Sequence, residues 1–214
     1  MTALVVHGTP GSSYTWSTEI ALAEKNVPYE LAVVTFGAHR VSPHLDRHPY
    51  AKVPVIEHDG FTLYETQAIL RYVDQVFPGE PLQPSDPREA ARMNQIVGIV
   101  DAYFWRAVGP GILYNRLFPE SLRGGPPDEK AVQAAIPVAR TSLAQFDRFL
   151  GERAFLASER FTLADIMVVP LVHYLLLTPE AALLEPHPRL RAWHERVMSR
   201  ESVRTTDKKP FRAS

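Results

Sequence analysis

The chain has 214 residues, with 23 Lys and Arg against 24 Asp and Glu for a formal charge of −1. This balance excludes a strongly basic nucleic-acid footprint and an acidic tail, and at roughly 150 residues per domain the length predicts one or two compact units. There is no cysteine, which excludes disulfides, CxxC redox pairs, cysteine nucleophiles and thiolate metal sites and fits a reducing, cytoplasmic setting. MTALVVHGTP lacks a basic start followed by a long apolar stretch, so no signal peptide is expected. The longest apolar run, near Ile166–Val172, is well short of the roughly 18 residues a membrane span needs, so no membrane partner is expected either.

In chain order, Ala3–His7 is a short apolar run stopped by Gly8, Thr9, Pro10 and Gly11, the pattern of a buried strand and a loop. Ser17–Asn26 carries apolar residues at helical spacing, and Tyr29–Thr35 is rich in strand formers. Together they make one βαβ unit. Val53–Glu57 and Phe61–Tyr64 flank His58-Asp59-Gly60, and Asp-Gly between apolar runs predicts a hairpin. Glu65–Phe77 then reads as a helix with Thr66 as its N-cap. The proline-rich stretch Pro78–Pro87 reads as a linker, and no strand candidate longer than four residues follows it.

Beyond the linker, Met93, Ile96, Val97, Val100, Phe104, Ala107 and Val108 form a helical stripe that Gly109-Pro110-Gly111 is expected to kink or end. Gly124–Pro127 reads as a loop, and Asp128–Leu150, Thr162–Leu176 and Pro188–Arg200 as further helices. The predicted class is an α/β domain over residues 1–78, a linker over 79–88 and an all-helical domain over 89–214.

Three short features carry chemistry. GTPGSSYTW, between a strand and a helix, places hydroxyls and free N–H groups at a helix N-terminus, where anions are favoured; read alone, it is also an ordinary βα turn with capping serines. It matches no dinucleotide, P-loop or hydrolase-elbow pattern. Pro54, at the start of a hairpin strand, is a candidate cis residue, which would turn the backbone N–H and C=O of Val53 outward toward an extended ligand. Glu65-Thr66 puts a carboxylate and a hydroxyl at another helix start.

Taken together, GTPGSSYT…ALAEKNVPYEL, GAHR and KVPVIEHDGFTLYETQAILRYV resemble the N-terminal, thioredoxin-like domain of the glutathione transferases, in the phi-like, serine-type branch. The helical remainder matches as well, with FTLADIMVVP similar to the family's N-capping box, Thr162 and Asp165 being its two members. The resemblance implies a homodimer that conjugates the thiolate of glutathione, its co-substrate, to a hydrophobic small molecule. Ser12 falls at the catalytic serine and Pro54 at the family's cis-proline. His39 and Arg40 fall where the glycine carboxylate of glutathione binds, Lys52 and Val53 beside the cysteinyl backbone, and Glu65 and Thr66 at the γ-glutamyl end. Ser13 and Tyr14 also offer hydroxyls beside Ser12, so the activating group stays open among the three, and Ser13 is an alternative helix cap.

The apolar second substrate is expected against Pro10, Ser13, Tyr14, Tyr103, Trp105, Tyr114 and Phe118, while Phe104 belongs to the inward stripe. His44 and His48 stand at i, i+4 but lack the acidic partner of a metal motif, so no metal is expected. The Lys and Arg of TTDKKPFRA read as a solvated tail. Two rival readings of the same fold are a non-catalytic ligand-binding or regulatory member, and an isomerase, peroxidase or reductive-cleavage enzyme that uses glutathione.

Overall fold

The computed structural model describes residues 4–118, 122 and 124–207. They fall into two compact units: the first runs to Pro81 and takes in Glu201–Thr206, and the second is Leu82–Arg200.

The first unit is built on a four-stranded sheet in the order β2-β1-β3-β4. Strand β1 (Leu4–Gly8) pairs parallel with β2 (Tyr29–Val33) and antiparallel with β3 (Val55–His58), which pairs antiparallel with β4 (Phe61–Tyr64). Helix α1 (Ser13–Glu24) makes the crossover between the parallel strands, and α3 (Thr66–Val76) follows the hairpin. Between them lie a 3-10 turn (Ala38–Arg40) and the short α2 (His44–Arg47). This is the thioredoxin-like arrangement expected. The hairpin turns at Asp59-Gly60, as predicted, with positive φ at both residues.

The core is Leu4, Val6, Val55 and Ile56 from the sheet against Ile20, Leu22, Ile69, Leu70 and Val73 from α1 and α3, all within 2% of complete burial. Each such side chain contributes about 1.5–3 kcal/mol by leaving water.

Helix α1 starts four residues earlier than the apolar spacing suggested. Its first turn carries Ser13, Tyr14 and Thr15, which give no apolar period, yet Thr15–Leu22 are all buried. The helix is covered all round, by α3 and by α8 (Glu201–Thr206) among others. That last helix carries the described start of TTDKKPFRA, in which Thr205 is exposed and Thr206 is buried. Thr206 is buried and accepts the indole N–H of Trp16 at 3.0 Å, and Ser202 donates to Glu24. Glu201–Thr206 thus group with the first unit, whereas the sequence places them in 89–214. Lys208, Lys209 and Arg212 lie outside the described residues.

In the second unit, α4 runs from Pro87 to Arg116, α5 from Glu129 to Leu150, α6 from Leu163 to Leu176 and α7 from Pro188 to Met198. The predicted stripe is inward: Met93, Ile96, Val97, Val100, Phe104 and Val108 are buried, and Phe104 meets Phe146 edge-on at 5.1 Å. Of the two outcomes expected at Gly-Pro-Gly, an end to the helix is overturned, because α4 continues through it. Val100–Phe104 and Ala107–Leu113 widen into π turns, which take up a proline that has no N–H. The Asn115 side chain donates to the carbonyls of Pro110 and Gly111 at 3.2 and 2.8 Å. A Cβ at Gly111 would lie 2.6 Å from that of Ala135, so α4 and α5 cross there only because the residue is glycine.

Among the described residues, α4 is the one helix long and apolar enough to cross a membrane by length and composition, a match the apolar-run count did not foresee; half of its apolar 18-residue stretch is buried in the protein. In the linker, Leu82 is buried and its carbonyl accepts the N–H of Leu163, fastening that end to the second unit.

Candidate active site

The sheet registers bring most of the candidate residues of the first unit to one end. His7 pairs with Val55, and Val55 with Tyr64. Gly8 and the Ser12 loop leave β1, Pro54 enters β3 and Glu65 leaves β4, all at that same end.

Gly8 admits the loop. A Cβ there would sit 2.5 Å from Cγ2 of Thr15, so only glycine lets the end of β1 lie against the first turn of α1. The hydroxyl of Thr9 donates to the carbonyl of Val34 at 2.6 Å, and the N–H of Ser12 to the carbonyl of Thr9 at 3.0 Å. Ser12 is the N-cap of α1, and Ser13 its first helical residue, so the alternative of a Ser13 cap is not realised. The Ser12 Oγ accepts from the N–H of Thr15 at a long 3.4 Å. This bond uses an oxygen lone pair and leaves the O–H free to donate. Ser12, Ser13, Tyr14 and Pro10 are all half-buried. The first N–H groups of α1 have no acceptor within the helix and add their dipole at this point.

The basic residues gather through the segment that follows β2. Nδ1 of His39 accepts the N–H of Gly37 at 3.3 Å, and the Arg40 guanidinium lies 5.9 Å from the Phe36 ring centroid. Nε2 of His44 bonds the carbonyl of Lys52 at 2.7 Å, tying α2 to the strand entry. Burial lowers the His39 pKa below the ordinary imidazole value, and the positive charges of Arg40, His44 and Lys52 lower it further. His48 is lowered by burial and then by His44 and Lys52. These groups share one field suited to a carboxylate. His44, read from sequence only as a failed metal motif, positions Lys52; the i, i+4 histidine pair was the available signal. Among the described residues, no group of three or more His, Cys, Asp or Glu is placed to hold a metal ion.

The Val53–Pro54 bond is cis, as predicted, and Pro54 is buried. Glu65, not Thr66, holds the N-cap position of α3, which corrects the cap assignment. Its carbonyl accepts from Ala68 and Ile69 at 2.9 and 3.0 Å, and its carboxylate end is exposed. At φ 70°, ψ 110° it sits in a backbone region that costs a non-glycine residue about 1–3 kcal/mol, so the surrounding turn holds it there. Thr66 is buried in the first turn of α3. In the second unit Tyr103 is 60% exposed, while Trp105, Tyr114 and Phe118 are half-buried; burial raises the Tyr114 hydroxyl pKa above its usual value.

Comparison with known proteins agrees with this geometry. Residues 6–81 match the family model of the glutathione S-transferase N-terminal domain, and residues 90–201 that of its C-terminal domain. The chain is 32% identical over 205 residues to glutathione S-transferase F6 of Arabidopsis thaliana, covering 95% of this chain and 98% of that protein. It superposes on the crystal structure of glutathione transferase F7 from Populus trichocarpa with a TM-score of 0.87 at 28% identity, over 95% and 97% of the two chains. It superposes on the maize glutathione S-transferase I in complex with an atrazine glutathione conjugate with a TM-score of 0.83 at 26% identity, over 96% of each. The chain belongs to the glutathione S-transferase family, and its relatives of about 30% identity are of the phi class.

Proposed function

We propose that the protein is a glutathione transferase that joins the thiolate of glutathione to a hydrophobic electrophile, with Ser12 as the group that stabilises the thiolate. The observation that carries this reading is the Ser12 hydroxyl at the N-cap of α1, engaged among the described residues by one long bond, at the sheet end where Pro54 and Glu65 also lie. The maize relative in complex with an atrazine glutathione conjugate supports it.

A free thiol with a pKa of about 8.5 is only a few per cent ionised at neutral pH. Lowering that value by about two units requires about 2.7 kcal/mol. A hydroxyl donating to the sulfur anion contributes about 1.5–3 kcal/mol. The N-terminus of α1 adds about 0.3–1 kcal/mol. The thiol proton leaves to water, the sulfur attacks the electrophilic carbon, a C–S bond forms and the leaving group departs with its electron pair. The chain's remaining task is to hold both reactants in place.

For that task we assign Arg40 and His39 to the glycine carboxylate, Lys52 and Val53 to the cysteinyl backbone beside Pro54, and Glu65 to the γ-glutamyl ammonium. Thr66 and the N-terminus of α3 suit the carboxylate at that end. Pro10, Ser13 and Tyr14 in the first unit, and Tyr103, Trp105, Tyr114 and Phe118 in the second, are assigned to the apolar substrate. In domain terms, residues 1–78 hold glutathione, 79–88 link, and the helices from residue 89 hold the electrophile. A cytoplasmic homodimer completes the reading. The absence of cysteine is consistent with the compartment, and the exposure of Tyr50 and Phe61, at 69% and 49%, is consistent with self-association.

Retention on immobilised glutathione followed by conjugation of 1-chloro-2,4-dinitrobenzene tests the proposal. Retention without turnover of any electrophile would instead favour the ligand-binding member of the fold.

A further inference from the structure

A cleft of about 570 Å³ opens within the second unit, between the first turns of α4 and the C-terminal end of α5. Arg88, Arg92, Arg148 and Arg153 line it around the ring of Phe149. None of them belongs to the site proposed for glutathione. The acidic residues on the same walls are Glu89 and Glu152, and Glu152 is already engaged by Arg189 at 2.8 Å.

The two half-buried guanidiniums are held by neutral acceptors. Arg92 donates to the side-chain oxygen of Gln95 at 3.0 Å and lies 4.3 Å from the centroid of Phe149. Arg153 donates to the carbonyls of Phe149 and Leu156. Carbonyl, amide and ring contacts orient a guanidinium without cancelling its charge. Arg88 and Arg148 add two exposed charges at the rim. The result is a concave site whose lining carries four guanidiniums against two carboxylates, one of them already engaged by Arg189, so its net charge is positive and its volume is usual for small-molecule pockets.

We propose that this cleft binds a phosphorylated small molecule of about nucleotide size. Several guanidinium forks around one cavity match a group that carries close to two charges on three oxygens better than they match a single carboxylate. The volume exceeds what a lone phosphate ion fills, and the half-buried positions of Arg92 and Arg153 reduce screening by salt.

Isothermal titration of the full-length protein with ADP, and separately with inorganic pyrophosphate, tests this. Each is expected to bind once per chain with a Kd below about 1 mM at physiological ionic strength. Arg148→Glu and Arg92→Gln should each weaken both ligands about tenfold or more, a clear signal on the affinity scale. Conjugation rate and thermal midpoint should stay at wild-type values, and saturating glutathione should leave both titrations unchanged. If Arg92→Gln does not fold, the exposed Arg148→Glu decides alone. Binding of neither ligand overturns the proposal, as does affinity unmoved by Arg148→Glu. Displacement by glutathione would move the ligand to the other site, and binding of ADP without pyrophosphate would move recognition off the phosphates; either result also overturns it.

Discussion

The indole N–H of Trp193 donates to Oδ1 of Asp165 at 2.8 Å, joining α7 to the first turn of α6 in the interior of the second unit. The same oxygen accepts the N–H of Leu156 at 2.9 Å, and Oδ2 accepts both the N–H and the hydroxyl of Thr162 at 2.9 and 3.0 Å. The capping box expected from the sequence is therefore the centre of a larger buried network. Burial pushes the Asp165 carboxyl above the usual carboxylate range, and these donors oppose that shift. Asp165→Ala strands the indole and two backbone N–H groups, each worth about 1–3 kcal/mol, so a total loss of about 3 kcal/mol or more is expected. That exceeds the roughly 1 kcal/mol typical of a surface cap. A denaturant midpoint equal to wild type would refute the network's role.

A second consequence concerns Lys25 and Asp74, whose side chains are 1% and 5% exposed and 2.7 Å apart. The ammonium also donates to the carbonyl of Glu80 at 2.8 Å. Removing one member leaves the other charge buried, so Asp74→Ala should destabilise the first unit by about 3–5 kcal/mol. The double change Lys25→Met with Asp74→Leu should cost much less, because no buried charge remains. Equal losses in the single and double variants by urea unfolding would contradict this account.

The response of stability to acid follows from His194. Burial, and then the charge of His173, lower its pKa to about 4; the two rings stack with centroids 5.6 Å apart. The unfolded chain takes up this proton near pH 6.5, whereas the folded chain resists until about pH 4. Unfolding is thus favoured as pH falls through that window, by at most about 1.4 kcal/mol per pH unit. His194→Asn should flatten this part of the stability profile measured between pH 7 and about pH 4. A wild-type slope in the variant would assign the acid sensitivity elsewhere.

Ser12 supplies the kinetic test. Ser12→Ala should lower turnover at neutral pH by about ten- to a hundred-fold, the equivalent of a hydrogen bond to a charged group. The pKa of enzyme-bound glutathione, read from thiolate absorbance against pH, should rise toward the free value, with little change in glutathione affinity. Ser13→Ala and Tyr14→Phe should leave it in place. If Tyr14→Phe raises that pKa and Ser12→Ala does not, the tyrosine and not the serine activates the thiol.

Much of the molecule is local enough to be legible in the order of residues. The apolar run of β1, the Asp59-Gly60 turn, the α4 stripe and the Thr162/Asp165 box depend on neighbours a few positions away, and each forms where the pattern places it. The family resemblance is legible too, because it rests on contiguous stretches. What escaped were features whose partners are remote in sequence. The start of α1 is polar, and its burial depends on α3 and α8 packing around it. Gly109-Pro110-Gly111 breaks an isolated helix, yet it continues here through π turns, with the Asn115 side chain bonding the carbonyls of Pro110 and Gly111 and Ala135 packing closely against Gly111. Nothing local marks Thr206 for burial; its hydroxyl accepts from the Trp16 indole, 190 residues earlier. His44 gains its role only when folding brings the Lys52 carbonyl to its ring. Sequence alone determined most of the elements and offered the candidate residues of the site. Tertiary structure decided which polar groups are satisfied, because a buried donor or acceptor is tolerated only where the fold supplies its counterpart.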